Sequence, residues 1–261
     1  MLRTLIGIIL VLAIFAGLGA LGWHFVKDKI QHKPEYRLNA ENITVSPPPD
    51  WVPERFVEDV LQSSGLNRTG SLLDATLPQR LTEAFAAHPW VERVEQVIPR
   101  HPSGADVRLA YRVPVAFVEV SQRGVFLVDR NGVLLPPEHL SDSERRSEYL
   151  TIRGIQSMPL GSVGTPWGNP IVQTAAQLSA ALTDIVKPLN LAQIAPITEE
   201  TLGGTRIAWQ LRTVAGTEIH WGTFSPNDPR TEAKIRRLRD LREQFRSLDN
   251  VPATFRDLSR E

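Results

Sequence analysis

The chain has 261 residues, 42% of them hydrophobic, with 29 basic against 29 acidic side chains and no cysteine. Balanced charge leaves no global field to gather nucleic acid or an acidic surface, and the missing cysteines exclude disulfides, thiolate nucleophiles and Cys-ligated zinc together. The length suits an anchor followed by two small globular cores.

Leu5 to Val26 is an apolar and glycine run without charge. At 1.5 Å per residue it spans a hydrocarbon core of roughly 30 Å, and it predicts a transmembrane helix. Trp23 and His24 at its far end, then Lys27 and Lys29, suit a membrane interface. A cleaved signal peptide is the rival reading, because Gly17-Leu18-Gly19 offers a small-x-small site, although the apolar run continues past it. Only Arg3 precedes the helix while Lys27, Lys29, Lys33 and Arg37 follow it, so charge bias alone favours a cytoplasmic C-terminal part.

Residues 27–41 read as a polar linker, and Ile43-Thr44-Val45 as a short strand before Pro47-Pro48-Pro49. Asp50 as N-cap and Pro53 in the first turn predict a helix over Trp51 to Ser64, with Phe56, Val57, Val60 and Leu61 inward and Gly65 as its stop. A second helix places Leu77, Leu81, Ala84 and Phe85 on one face, with Thr76 and Gln79 at capping-box spacing around Pro78. Pro89 disfavours helical backbone at His88, so Trp90 and Val91 enter a strand directly. Asp106 to Arg112 alternates with period two and predicts the next strand.

Pro89-Trp90-Val91-Glu92-Arg93-Val94, followed by Arg112-Val113-Pro114-Val115-Ala116 behind a membrane anchor, resembles the POTRA domain of the FtsQ/DivIB bacterial cell-division proteins. The resemblance identifies a fold and a family, with Trp90, Val91, Arg112 and Pro114 as structural motif residues in packing roles. It implies an α+β chain: a cytoplasmic tail (1–4), a transmembrane helix (5–26), a linker (27–41), a POTRA-like domain of two helices on a three-stranded sheet (42–113), and a mainly antiparallel β domain with two helices (114–261). It also places the bulk of the chain outside the cytoplasm, against the charge bias.

In that second part, Phe117 to Val120 and Val125 to Val128 are strands, and Asp129-Arg130-Asn131-Gly132 turns into Val133-Leu134-Leu135. Asp142 to Glu148 reads as a solvated loop, and Tyr149 to Gly154 as a strand with a glycine turn. Ile171 to Val186 predicts a helix ended by Pro188, then Arg206 to Arg212 and Glu218 to Gly222 a strand pair. A last helix is capped by Asp228 with Pro229 in its first turn and buries Ile235, Leu238, Leu241 and Phe245. Its other face, with Lys234, Arg236, Arg237, Arg239, Arg242 and Arg246 interrupted by Glu232, Asp240 and Glu243, reads as solvated.

No catalytic constellation is present. The six histidines are scattered, no Walker A or dinucleotide fingerprint occurs, and Gly161-Ser162-Val163-Gly164 is not a nucleophile elbow. Asp129 is explained by turn formation. The sequence therefore predicts no enzyme, cofactor, metal site, small-molecule substrate or nucleic-acid partner.

The resemblance implies a single-pass scaffold of the inner membrane, positioned at the septum, that holds FtsB/DivIC-like and FtsL-like division proteins partly by strand addition. The alternative is a POTRA-containing accessory of outer-membrane protein assembly, or an anchored envelope protein of unrelated role. Asp257-Leu258 resembles the start of the family's partner-binding strand, and with three residues following Leu258, addition is expected to weaken or to move toward Arg206 to Leu211. Arg206, Trp209, Phe255 and Leu258 are the expected border of the contact, Arg206 supplying charge; the competing reading makes Trp209 and Phe255 core residues.

Overall fold

A computed structural model describes residues 17, 38–70, 74–100, 104–137, 147–201 and 204–259. The predicted span Leu5 to Val26 lies outside them apart from Gly17; among the described residues no helix is long and apolar enough to cross a membrane. Among the described residues the fold is α+β with five α-helices. The described residues fall into two compact units, the first ending at Ala110 but excluding Pro49–Val52, and the second comprising Pro49–Val52 and everything from Tyr111.

The first unit is a three-stranded sheet in the order β1 (Ile43–Val45), β3 (Gly104–Tyr111), β2 (Val91–Arg100), with β1 parallel to β3. Its helices are α1 (Phe56–Ser63), α2 (Leu66–Thr69) and α3 (Leu77–Ala86). Phe56, Val60, Leu61, Leu77, Leu81, Phe85 and Trp90 fill the core, and Trp90 and Val91 are each 1% exposed, as a packing role requires. β2 is an edge strand, which is why Pro99, unable to donate to a ladder, is tolerated within it.

Several local readings are corrected. The helix predicted from Trp51 starts at Phe56, because Trp51 is held in the second unit, its indole N–H donating to Arg112 O at 3.0 Å. Asp50 is therefore not its cap, and Val57 is half-buried rather than inward. The Thr76–Gln79 capping box does not form: Asp74 Oδ1 accepts from both the amide and the hydroxyl of Thr76, and Gln79 turns to Glu83. Gly65 does stop α1, at φ +70°, and α2 is a third helix that the sequence reading lacked.

The second unit is built on a seven-stranded sheet. Its strands are β4 (Pro114–Val120), β5 (Gly124–Asp129), β6 (Leu134–Leu135), β7 (Leu150–Ile155), β8 (Leu191–Thr201), β9 (Gly204–Thr213) and β10 (Glu218–Gly222), in the order β10-β9-β8-β7-β4-β5-β6. Pairing is mainly antiparallel, but β7 lies parallel to both β4 and β8. The second parallel step needs a crossover, which α4 (Pro170–Val186) supplies. Asn169 caps α4 by accepting the Ile171 N–H at 2.9 Å.

α4 and α5 (Arg230–Phe245) pack on one face of this sheet, their Val172, Ala176, Leu182, Leu238 and Leu241 joining Val118, Ile152, Ile194, Leu211 and Trp221 in one core. Strand alternation then leaves Glu119–Arg153 and Arg212–Glu218 as ion pairs on the other face. Lys234 is not on the solvated face of α5. It is 2% exposed, donates to Trp221 O at 2.6 Å, and stands 5.3 Å from the centre of the Trp221 ring.

Arg112 and Pro114 belong to this second unit rather than to the unit whose core Trp90 fills. Arg112 donates to Asp129 Oδ2 at 2.7 Å, while Asp129 Oδ1 accepts the amides of Asn131 and Val133, so one buried carboxylate closes the β5–β6 turn and fixes Arg112.

Candidate functional site

Seven strands leave two outer edges, and the chain treats them differently. At β6 the loop that follows β7 comes back to cover the backbone. Leu134 N–H donates to Thr165 O at 3.0 Å, Gly164 N–H donates to Leu134 O at 2.7 Å, and Val133 bridges Pro166. Together with its length of two residues, this removes β6 as a template for another strand.

At β10 the covering is a short piece of chain. His220 N–H donates to Arg256 O, and Leu258 N–H donates to His220 O, each at 2.8 Å; Asp257 thereby bridges His220 in parallel. Among the described residues, backbone bonds reach the outer edge of β10 at His220 alone. Gly222, at φ +80°, permits this approach, since a Cβ there would lie 2.8 Å from the Ser259 Cβ. Lys234 braces the strand from the helix side through Trp221 O.

The β8–β9 hairpin extends the open edge. β10 pairs with β9 only over Trp209–Arg212, and β7 pairs with β8 only at Gln193 and Ile194. Gly204–Ala208 on one side and Ala195–Thr201 on the other therefore have a single strand neighbour each. Glu199 ties the hairpin to β10, taking Arg206 Nε on one carboxylate oxygen and His220 Nε2 on the other, both at 2.6 Å.

The four residues expected to border a contact separate here. Trp209 and Leu258, at 2% and 1% exposure, are core residues and offer no apolar area to a partner. Phe255 is 47% exposed and stacks at 6.4 Å on Phe245, and Arg206 is exposed while paired with Glu199. Trp209 to Leu211 is flanked by strands on both sides and Ala208 is buried, so the accessible part of that neighbouring edge is Gly204–Ile207. His220, Gly222 and Lys234 were missed as parts of the site. For Lys234 a signal existed: 234, 238, 241 and 245 form a helical stripe as regular as the one beginning at Ile235.

The second unit is thus an α+β module with helices on one face, the Glu119–Arg153 and Arg212–Glu218 ion pairs on the opposite face, and an outer strand bridged from outside at His220. Residues 116–255 match the family model described as "Cell division protein FtsQ/DivIB, C-terminal". No curated protein matches the chain. The chain belongs to the FtsQ/DivIB family of cell-division proteins.

Proposed function

We propose that the protein is a non-enzymatic, single-pass scaffold of the division machinery. Leu5–Val26 is its anchor in the inner membrane, residues 27–41 its linker, 42–113 a POTRA-like recruitment unit, and 114–261 the domain that holds FtsB/DivIC-like and FtsL-like proteins at the septum, outside the cytoplasm. Family membership supports the division role, and the uncharged apolar run supports the anchor. The observation that carries partner binding is the contrast between β6, two residues long and bonded from outside at Leu134, and β10, five residues long and bonded from outside at His220 alone among the described residues.

Strand addition at that edge uses main-chain hydrogen bonds for affinity and neighbouring side chains for choice. An incoming segment would lie along β10 and the Gly204–Ile207 stretch, within reach of Arg206, Ile207 and Phe255. Photocrosslinking tests this in the membrane-embedded full chain, co-expressed with FtsB/DivIC-type and FtsL-type proteins. Probes at Arg206 and Phe255 are expected to trap one of them, and a probe at Leu135 is not. Trapping only from sites in the POTRA-like unit would overturn the assignment. A reporter fused after Glu261 should be active only when it requires the periplasm.

A further inference from the structure

Asp249 joins three stretches of chain at the open edge. Its Oδ1 accepts the hydroxyl of Thr213 at the end of β9, at 2.6 Å, and its Oδ2 accepts the Ser247 hydroxyl at 3.0 Å. Thr213 also shapes the β9–β10 turn: its N–H donates to Thr217 O, and its hydroxyl oxygen accepts the Thr217 N–H, both at 3.0 Å. Bonds from the Thr213, Thr217 and Ser247 side chains and the charge of Arg256 hold the Asp249 carboxyl below the usual carboxylate range.

From the main chain of Asp249 and Val251 the bonding continues to the edge itself. The Arg256 guanidinium donates to Val251 O at 2.6 Å and to Asp249 O at 3.5 Å, and the Arg256 carbonyl accepts the His220 N–H. Leu248, Val251 and Leu258 are buried beneath this path. The segment after α5 is thus tied to the β9–β10 hairpin twice, at Thr213 beside the turn and at His220 in the strand. Two ties to one hairpin fix both the distance and the register of the segment between them.

We propose that Asp249 is a positioning residue for partner binding: by bonding Thr213 through its carboxylate, with Arg256 joined to the main chain of its own stretch, it sets Arg256–Leu258 in register on β10, and so decides which backbone groups an incoming strand from a division partner meets. The proposal rests on the reading that this edge receives the partner. The clasp itself is measurable without one.

The test follows amide exchange in the full chain in detergent micelles, without partner. Asp249→Asn and Thr213→Val are expected to speed exchange at His220 and Leu258 by about tenfold or more through loss of a charge-assisted bond, while Leu211 in β9 stays protected. Thr213→Ser, which keeps the hydroxyl, should restore the slow exchange. In the same variants, photocrosslinking from Phe255 to a co-expressed FtsB/DivIC-type protein should fall, with Thr213→Ser again restoring it. Unchanged exchange at His220 and Leu258, or equal acceleration at Leu211, overturns the clasp. Faster exchange with undiminished crosslinking overturns its positioning role. Failure of the wild-type chain to crosslink from Phe255 overturns the functional reading beneath it, whatever the exchange shows.

Discussion

The two outer strands of the large sheet face the same physical problem and solve it differently. An edge strand exposes unpaired amides and carbonyls that invite another chain. β6 is shortened to two residues and bonded to the loop around Thr165, whereas β10 is touched at His220 by a segment held in place from a distance. Side chains follow the same division. Buried Asp129, paired with half-buried Arg112, fixes the β6 end, while exposed Arg206, Ile207 and Phe255 lie near the β10 end. One edge is covered over its whole two-residue length, and the other is bonded from outside at His220 alone among the described residues.

The largest expected effects come from the sealed parts of the molecule. Trp90→Ala should destabilise the first unit by about 3–5 kcal/mol, the range for a buried large aromatic. Chemical denaturation would show this as an earlier transition, with partner crosslinking from Phe255 retained under folding conditions. A variant that melts normally but loses a partner would mean that Trp90 acts by contact. Asp129→Ala should cost about 3 kcal/mol, because half-buried Arg112 and the Asn131 and Val133 amides lose their acceptor. Here exchange at Leu134 and Gly164 should accelerate, and the β6 edge should become reactive. Protection unchanged at those amides would break the claim that this carboxylate closes the edge.

At the open edge the expected effects on stability are smaller and those on binding larger. Leu258→Ala removes a buried side chain that seats the covering segment and should cost about 2–4 kcal/mol. Arg206→Ala and Phe255→Ala should each change stability by less than about 0.5 kcal/mol, as exposed positions do, while weakening partner capture. Loss of stability comparable to that of Leu258→Ala would place them in the core after all.

The smallest effect expected is a pH dependence in the first unit. The His88 ring packs edge-on against Phe56 at 4.7 Å, and its Nδ1 accepts the Trp90 N–H at 3.3 Å. Burial lowers its pKa below the ordinary 6.5, opposed by the charge of Asp59. The unfolded chain therefore binds a proton at a higher pH than the folded one. Stability from the neutral ring is fully present above 6.5 and is lost as pH falls toward the lower folded value. His88→Gln should flatten this slope between neutral pH and pH 5; a slope unchanged by the substitution would contradict the assignment.

Much of the fold was legible because local chemistry and tertiary packing agree there. Pro89 ends the α3 pattern, Gly65 ends α1, and Asp228 accepts the Arg230 N–H at 3.0 Å where α5 begins. β8 was not read from the sequence. Pro196, Glu199 and Glu200 disguise it, yet Pro196 is tolerated where β8 no longer pairs with β7. Trp51 shows tertiary bonding overriding a plausible cap, since its indole is engaged by Arg112 O before α1 starts. At the candidate site, Trp209 and Leu258 were legible as apolar strand residues, but their facing depends on α5, which sequence alone does not place. The Asp249 contacts join residues 36 positions apart and left no local pattern.

The central claim is that partners add at the β10 edge and not at β6. Hydrogen exchange of the full chain, with and without co-expressed FtsB/DivIC-type and FtsL-type proteins, measures it directly. New protection is expected across Glu218–Gly222 and Gly204–Ile207, with Leu134 and Leu135 unchanged. New protection confined to the β6 edge or to the first unit would contradict it.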